Sequence, residues 1–265
     1  MMKKKARLYY KLIATAIRSQ MQHRASFFLL TFAQILSAAT ELIGIWVLFY
    51  RFKIVQGWTL AELALLYGLV HMGFSFAEGL GRAFDKFSLL IKHGGFDRLM
   101  LRPLGTLFQV ATKEVCPEKI GRFIQGFVVL LWGAHQLNFS FFSLNSLCLV
   151  FAFAGTVSLF YAIFVIQATL AFWLTDTLEL LNIITYGGRD VAQFPLTIFN
   201  HGFYILFTYL VPIACVIYYP VATLLQRETF PLWIGFLFPF AGFIFLYLSF
   251  QFWKLGVKHY HSTGS

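Results

Sequence analysis

Long apolar runs separated by short polar segments dominate the pattern of the chain. No Lys, Arg, Asp or Glu occurs from Phe123 to Thr175, and several other uncharged runs exceed the roughly 20 residues that a helix needs to cross a bilayer. Because lipid cannot satisfy the backbone, only helices or a closed barrel span it. Runs such as Phe123 to Trp132 and Ala241 to Leu248 lack the polar alternation of barrel strands. We therefore predict an all-α, polytopic membrane protein.

The spacing of these runs predicts about six membrane-spanning helices, with a turn near Asn138 to Asn145 dividing the long uncharged stretch into a hairpin. The predicted spans are Phe27 to Tyr50, Leu60 to Leu80, Ile120 to Leu137, Leu144 to Phe172, Phe203 to Leu225 and Phe230 to Trp253. The chain then divides into an N-terminal segment (1–25), a six-span domain (26–253) with a polar loop segment (82–119), and a polar tail (254–265).

The N-terminal segment carries seven positive charges and no negative charge between Lys3 and Arg24. Tyr9, Ile13, Ile17 and Met21 recur every four residues, and Arg7, Lys11 and Arg18 fall on the opposite side. This pattern favours a basic amphipathic helix that lies in the lipid headgroup layer. A soluble basic tail is the alternative.

The distribution of positive charge predicts the orientation in the membrane. With both termini on one side, eighteen Lys or Arg lie on that side, against only Arg51, Lys53 and Arg227 on the other. The positive-inside rule makes the richer side cytoplasmic. The net charge of +10 in a chain that is 59% apolar therefore follows the topology, and we expect membrane lipid rather than nucleic acid as its partner. No cleavable signal peptide is apparent.

Motifs for chemistry within this chain are missing from the sequence. It contains no Gly-x-x-x-x-Gly-Lys-Ser/Thr phosphate loop. The histidines form no metal-binding pair, and no Gly-x-Ser-x-Gly elbow occurs. We expect that the chain is not an enzyme and binds no cofactor or metal. Energy for uphill transport would come from another chain or from an ion gradient.

Ionisable residues within predicted spans are few, and such residues are costly in lipid. Glu41 lies well inside the first span, and His71 and Glu78 share one face of the second. Glu41 pairs with a neighbouring helix, lines a cavity, or takes part in proton coupling, in decreasing order of expectation. Pro212 and Pro220 permit local breaks in the fifth span.

The loop segment contains the stretch Gly-Gly-Phe-Asp-Arg-Leu-Met-Leu-Arg-Pro-Leu at 94–104. The two glycines allow a sharp reversal, and the proline limits the helix that follows. The resulting amphiphilic knob docks into a groove on a cytosolic partner or lies against lipid headgroups, and the residues alone favour neither. Its candidate functional residues are Gly94, Gly95, Asp97, Arg98, Leu99, Arg102 and Pro103.

The sequence GGFDRLMLRPLGTLFQV resembles the cytoplasmic signature of bacterial ABC exporter permeases of the second type. It is most similar to a branch with Asp-Arg-Leu-x-Leu-Arg-Pro-Leu in that loop. FPLTIF at 194–199 and VPIACVIYYPVATLL at 211–225 resemble the C-terminal half of this branch. The resemblance implies six spans, an N-terminal helix on the inner leaflet, and a loop that contacts a separate ATPase, which binds ATP and Mg.

The same resemblance implies dimerisation with a second permease, with a heterodimer favoured, in the bacterial cytoplasmic membrane. The expected function is that of the permease subunit of an ATP-driven exporter, in which the loop transmits ATPase closure to spans one, two and five.

The predicted spans contain few charged residues, so a cavity between them would suit an amphiphilic or hydrophobic substrate. An ion-coupled carrier or channel, and a membrane scaffold without transport, are the alternatives. By analogy with these permeases, we expect the segment after the fifth span to re-enter the membrane rather than to cross it directly.

Overall fold

The computed structural model describes residues 2–139, 144–174 and 181–260, and within those ranges it contains helices and no β-strand. The α-helices are α1 Met2–Met21, α2 Arg24–Phe52, α3 Leu60–Asp85, α4 Phe87–Lys92, α5 Gly95–Met100, α6 Thr106–Ala111, α7 Ile120–Gln136, α8 Leu144–Leu170, α9 Gly188–Ala192, α10 His201–Ile205, α11 Ile213–Val216, α12 Tyr218–Leu224, α13 Leu232–Leu237 and α14 Phe240–Lys258. Turns of π-helix, Ile183–Gly187 and Leu206–Leu210, precede α9 and follow α10.

Four helical stretches are long and apolar enough to cross a membrane: Arg24–Phe52, Leu60–Lys92, Ser146–Leu170 and Leu232–Lys258. A bent pair, His201–Leu210 and Ile213–Leu224, would be a fifth. Helix α7 has 17 residues, which gives about 25 Å of helix and places it at the short end of the spanning range. The predicted all-α, polytopic membrane protein is confirmed, with a helix number close to the expected six.

Helix α3 lies at the centre of the bundle and is buried along most of its length. It packs against α7 on one side and α8 on the other, and α14 packs against α8. The approach of α3 to α7 depends on small residues, because a Cβ atom at Gly68 would lie 2.5 Å from the Leu130 Cβ and 2.7 Å from the Gly126 carbonyl. Close backbone contact of this kind is typical of helix pairs in lipid.

The contacts place both ends of the described chain at one end of the bundle. We call the two ends of the bundle the Leu60 end and the Asp85 end, after the limits of α3. The Tyr9 ring of α1 lies 5.8 Å from Phe108 in α6, and the Tyr260 ring after α14 lies 4.9 Å from Phe96 in α5. Both therefore lie with the loop segment at the Asp85 end.

The prediction of one continuous fifth span from Phe203 to Leu225 is wrong. The chain bends by 71° between the helical stretches that end at Leu210 and begin at Ile213. A Cβ at Gly188 would lie 2.7 Å from Ile213 and 3.4 Å from Phe207, so this bend lies beside α9. The helices after the bend return towards the Leu60 end, where Arg227 meets the first turn of α3.

Proline explains the bend. Pro212 has no N–H to donate to Thr208, the residue four positions earlier, and Val211 before it is extended. The Cys215 thiol lies 3.7 Å from the Thr208 carbonyl and donates to it. Pro220 does not break a helix, because it lies in the first turn of α12, where backbone N–H groups have no helical acceptor anyway.

Two span limits also differ from the prediction, because helices extend beyond the apolar runs. Helix α3 continues through Arg82 to Asp85, and α14 continues past Trp253 to Lys258. Besides Met1, three parts of the chain lie outside the described residues: the predicted hairpin turn at 140–143, residues 175–180 between the fourth and fifth predicted spans, which include Asp176 and Glu179, and the last five residues of the tail.

Candidate functional site: the loop helix and the buried ion pairs

The short helix α5 begins at the predicted reversal. Gly94 has a φ of +62°, a conformation that glycine adopts without steric cost. A Cβ at the next residue, Gly95, would lie 2.5 Å from the Leu90 side chain, so α4 and α5 approach closely at this corner. Asp97 lies in the first turn of α5, where its negative charge favours the helix dipole. The helix ends at Met100, three residues before Pro103.

Phe96 anchors α5 in a cluster of aromatic rings. Its side chain is fully buried, and its ring lies 5.3 Å from Phe87, 5.2 Å from Phe172 and 6.3 Å from Trp253. Most of these pairs are edge-to-face, an arrangement that stabilises each pair by about 0.5–1.5 kcal/mol beyond burial. The cluster joins α5 to α4, to the segment after α8 and to α14.

Hydrogen bonds hold the turn that follows α5. The Gln109 amide nitrogen in α6 donates to the Leu99 carbonyl at 2.9 Å and to the Leu104 carbonyl at 2.7 Å. The Trp253 indole N–H in α14 donates to the Thr106 hydroxyl at 3.1 Å. The two ends of this turn are therefore fixed to the body of the protein, although the turn itself projects.

The projecting tip consists of Met100, Leu101, Arg102 and Pro103, all exposed, with Leu101 86% exposed. Among the predicted functional residues, Arg98, Arg102 and Pro103 lie on the surface and Asp97 is half-buried. Gly95 and Leu99 are buried, so they position the tip and do not present a contact surface. Sequence reasoning did not single out Leu101, although an apolar residue next to Arg-Pro was the available signal.

The loop segment connects to the bundle at two places, because its last residues, Pro117–Lys119, pack on α2 and its aromatic cluster packs on other helices. In the described residues, the Phe96 cluster joins α5 to the α3–α4 stretch, the end of α8 and α14. Tyr260 completes this connection, since its ring packs on Phe96. Burial, and then the neighbouring Asp97 carboxylate, raise the pKa of Tyr260 to about 12, so its hydroxyl stays protonated near neutral pH.

Glu41 is the centre of a second group, a buried ion-pair network in the middle of the bundle. Its Oε1 lies 3.3 Å from the Arg122 Nη2 of α7 and 3.6 Å from the Arg189 Nη2 of α9. Its Oε2 lies 3.6 Å from the His71 Nε2 of α3, which also lies 3.4 Å from the Gln193 amide oxygen. Paired charges are the tolerated form of charge in lipid, so helix pairing, the first expectation for Glu41, agrees with this geometry.

Arg189 is one of the eighteen cations counted on the cytoplasmic side, in the short polar stretch between the fourth and fifth predicted spans, and that placement is wrong. It is in α9, packed against α3, and its guanidinium also lies over the Phe74 ring, 5.3 Å from the centroid. A polar patch beside an apolar run is indistinguishable from a loop until its partners are known. The next residue, Asp190, accepts from Arg189 and keeps 51% of its side chain exposed.

Glu78 belongs to a different ion pair from His71, although the two share a helix face as predicted. Its Oε1 accepts from the Lys119 Nζ at 2.7 Å and from the Tyr186 hydroxyl at 3.3 Å. Glu78 is 2% exposed and ties α3 to the start of α7. Among the described residues, no group of three or more His, Cys, Asp or Glu is placed to hold a metal ion.

The fold and these contacts define a polytopic helical membrane protein, with a loop helix that a buried aromatic cluster holds at one end. The sequence profile of the ABC-2 family transporter proteins matches residues 35–264. The chain belongs to this family, whose members are membrane transport subunits of ABC transporters. No curated protein and no solved structure matches the chain.

Proposed function

We propose that this chain is the permease subunit of an ATP-driven exporter in a bacterial cytoplasmic membrane, with the Asp85 end in the cytoplasm. A separate ATPase binds ATP and Mg and contacts the loop segment, and a second permease completes the pathway. The resemblance favours a different second permease over a second copy. The cargo is amphiphilic or hydrophobic.

The loop tip carries this proposal. Leu101 is 86% exposed and Met100 is 43% exposed, and the cations Arg98 and Arg102 flank them, so the tip combines the apolar and basic side chains that suit docking into a groove on a partner. The tip is also mounted on a buried aromatic cluster, so a push on Leu101 moves Phe96, Phe172 and Trp253 together. Force from the ATPase therefore reaches α3, α8 and α14 through this cluster in this proposal.

Asp190 supports the second permease. Its carboxylate lies near the middle of the bundle and is half exposed, and Glu41 beside it is 27% exposed. An exposed carboxylate at this depth is costly against lipid, so this face adjoins another chain or a water-filled path. The face is formed by α2 and α9. We place the second permease and the transport path on it.

An apolar pocket supports the cargo class. It has a volume of about 390 Å³ and lies between α2, α3 and α7. Trp46, Tyr67 and Trp132 contribute to its lining. A lining of this kind binds hydrophobic groups and offers few hydrogen-bond partners.

The test is co-purification of the ATPase with tip variants of the full chain. Leu101→Glu replaces the exposed apolar contact with a charge and should abolish ATPase co-purification while membrane insertion is unchanged. Leu89→Glu is the matched control, because Leu89 is also exposed, at 51%, on the neighbouring helix α4. Retention of the ATPase by Leu101→Glu, or equal loss with Leu89→Glu, would refute the role of the tip.

The two alternatives make different predictions in reconstituted vesicles. An ion-coupled carrier needs no ATPase, follows a proton or sodium gradient, and loses activity with Glu41→Gln. A scaffold binds its partner normally and moves no solute. The ion pairs of Glu41 with Arg122 and Arg189 join three helices and give this carboxylate a structural role, so its presence in a span is not evidence for an ion-coupled carrier.

A further inference from the structure

A second feature of the loop segment is a cleft between α1 and the surface formed by α5 and α6. It has a volume of about 530 Å³. One wall is Leu8 of the N-terminal helix, and Phe108 of α6 lies among the facing residues. The cleft therefore lies where the basic N-terminal helix meets the loop segment, beside the predicted headgroup layer.

Positive charge dominates the polar part of this cleft. Arg98, Arg102 and Lys113 contribute to its lining, which contains no Asp or Glu. The carboxylate next in sequence, Glu114, is committed elsewhere, since it lies 2.5 Å from the Lys86 Nζ. Burial, and then the charge of Arg98, lower the pKa of Lys113. Three cations thus share one cleft with no acidic residue in its lining.

The cleft also has an unsatisfied acceptor. Gln109 is 6% exposed and lines the cleft, and both hydrogen bonds reported above use its amide nitrogen. Its Oε1 has no hydrogen-bond partner among the described residues.

We propose that this cleft binds the headgroup of an anionic phospholipid, with its phosphate between Arg98, Arg102 and Lys113 and its acyl chains along Leu8 and Phe108. The shared chemistry is a phosphate next to an apolar surface. A lipid is favoured over free phosphate because half of the lining is apolar, and α1 carries further cations, Arg7 and Lys11, that attract an anionic leaflet. This inference does not depend on the ATPase assignment, which rests on Leu101.

Different residues of the loop segment would contact the ATPase and the lipid. The exposed side chain of Leu101 contacts the ATPase, and the cations that line the cleft beside α1, Arg98, Arg102 and Lys113, contact lipid. An anionic lipid would then hold the N-terminal helix against the loop segment. The ATPase and lipid, the two contacts that the sequence left open for this stretch, would then involve different residues of the loop segment.

The test measures lipid binding to the purified full chain by native mass spectrometry, with dioleoylphosphatidylglycerol and dioleoylphosphatidylcholine as probes. These lipids have the same acyl chains, so they differ only in headgroup. We expect the anionic lipid to bind more tightly. Lys113→Glu should weaken its binding by about tenfold or more, because each cation near an anionic headgroup contributes roughly 1 kcal/mol and reversal also adds repulsion.

Lys254→Glu is the matched control, since Lys254 is an exposed lysine on α14 near the Asp85 end and outside the cleft. It should leave lipid affinity unchanged. Lys113→Gln removes the charge without reversing it, so it is less disruptive to folding than Lys113→Glu. It should weaken binding of the anionic lipid by an intermediate factor. Size-exclusion profiles and ATPase co-purification should remain those of the unmodified chain for all three variants.

Four outcomes would overturn the proposal. Equal affinity for the two lipids, or an unaltered affinity in Lys113→Glu, removes the cleft as the lipid site. Displacement of phosphatidylglycerol by inorganic phosphate at comparable concentration assigns the cleft to free phosphate. Loss of ATPase co-purification in Lys113→Glu, together with displacement of lipid by the ATPase, assigns the cleft to the protein partner.

Discussion

Arg227 and Glu62 form a forked ion pair that joins the end of the bent helical pair to the first turn of α3. The Arg227 Nη2 lies 2.7 Å from the Glu62 Oε1 and 2.8 Å from its Oε2, and the Arg227 Nε adds a contact of 3.1 Å. Glu62 also caps α3, because it accepts from the Thr59 backbone N–H at 2.8 Å. The guanidinium lies 5.5 Å from the Trp58 ring centroid.

We expect Arg227→Leu to lower the free energy of unfolding by about 2 kcal/mol, because it leaves a mostly buried carboxylate without its forked partner. Arg227→Lys should lower the free energy of unfolding by less, because lysine keeps the positive charge beside Glu62 although it cannot form the forked hydrogen bonds. Thermal denaturation of the purified full chain in detergent measures both changes.

Arg51→Leu provides the control for this pair. Arg51 is an exposed cation in the last turn of α2, and its removal should change stability by less than about 0.5 kcal/mol. Equal effects of the two arginine variants would show that the pair with Glu62 contributes nothing beyond surface charge.

The Glu41 network predicts strong coupling between its members. Arg122→Gln and Glu41→Gln should each destabilise the chain by about 3 kcal/mol, because each leaves a buried charge short of a partner. The double variant should cost less than the sum of the two. ATP-driven transport by Glu41→Gln should persist at a temperature where that variant is folded. Additive losses, or complete loss of transport in folded protein, would contradict structural pairing.

Phe96 should act as the link between the tip and the bundle. Phe96→Ala removes a fully buried ring from the aromatic cluster and should destabilise the chain by about 4 kcal/mol. Phe96→Leu should keep the fold and ATPase co-purification, yet lower the transport rate per ATP hydrolysed. Phe52→Leu, at a 63% exposed phenylalanine near the Leu60 end, should leave that ratio unchanged. An unaltered ratio in Phe96→Leu would separate the cluster from force transmission.

Cys116 predicts a pH dependence at the Asp85 end, outside the spanning helices. Burial, and then the Glu118 carboxylate, raise the pKa of its thiol from 9.0 to about 12. The unfolded chain therefore loses this proton above about pH 9 while the folded chain keeps it. The contribution of Cys116 to stability is present below pH 9 and falls above it, by up to about 1.4 kcal/mol per pH unit.

The measurement for Cys116 is the difference in stability between the unmodified chain and Cys116→Ala, followed from pH 8 upwards. Other groups titrate equally in both chains, so the difference isolates the thiol. A difference that stays constant above pH 9 would show that the folded thiol ionises normally. Alkylation of Cys116 in the folded chain should also be much slower than after denaturation.

The helical membrane class could be predicted from the sequence because it depends on one-dimensional quantities. Apolar length decides whether a segment crosses lipid, and the backbone must then be helical whatever its neighbours are. The chain reversal at Gly94 and the end of helix α5 before Pro103 could also be predicted, because each follows from the backbone sterics of a single residue. The ABC-2 family could also be predicted from the sequence, and its profile matches residues 35–264.

The tertiary structure alone decided what depends on pairs of distant residues. It brought Arg189 to Glu41, joined Arg227 to Glu62, and turned the predicted fifth span into a bent pair beside α9. It also buried Leu99 and exposed Leu101, two apolar residues that the sequence does not distinguish. Charge in lipid is tolerated only where a partner meets it, and which residues meet is set by how helices pack, a property that no single stretch of sequence contains.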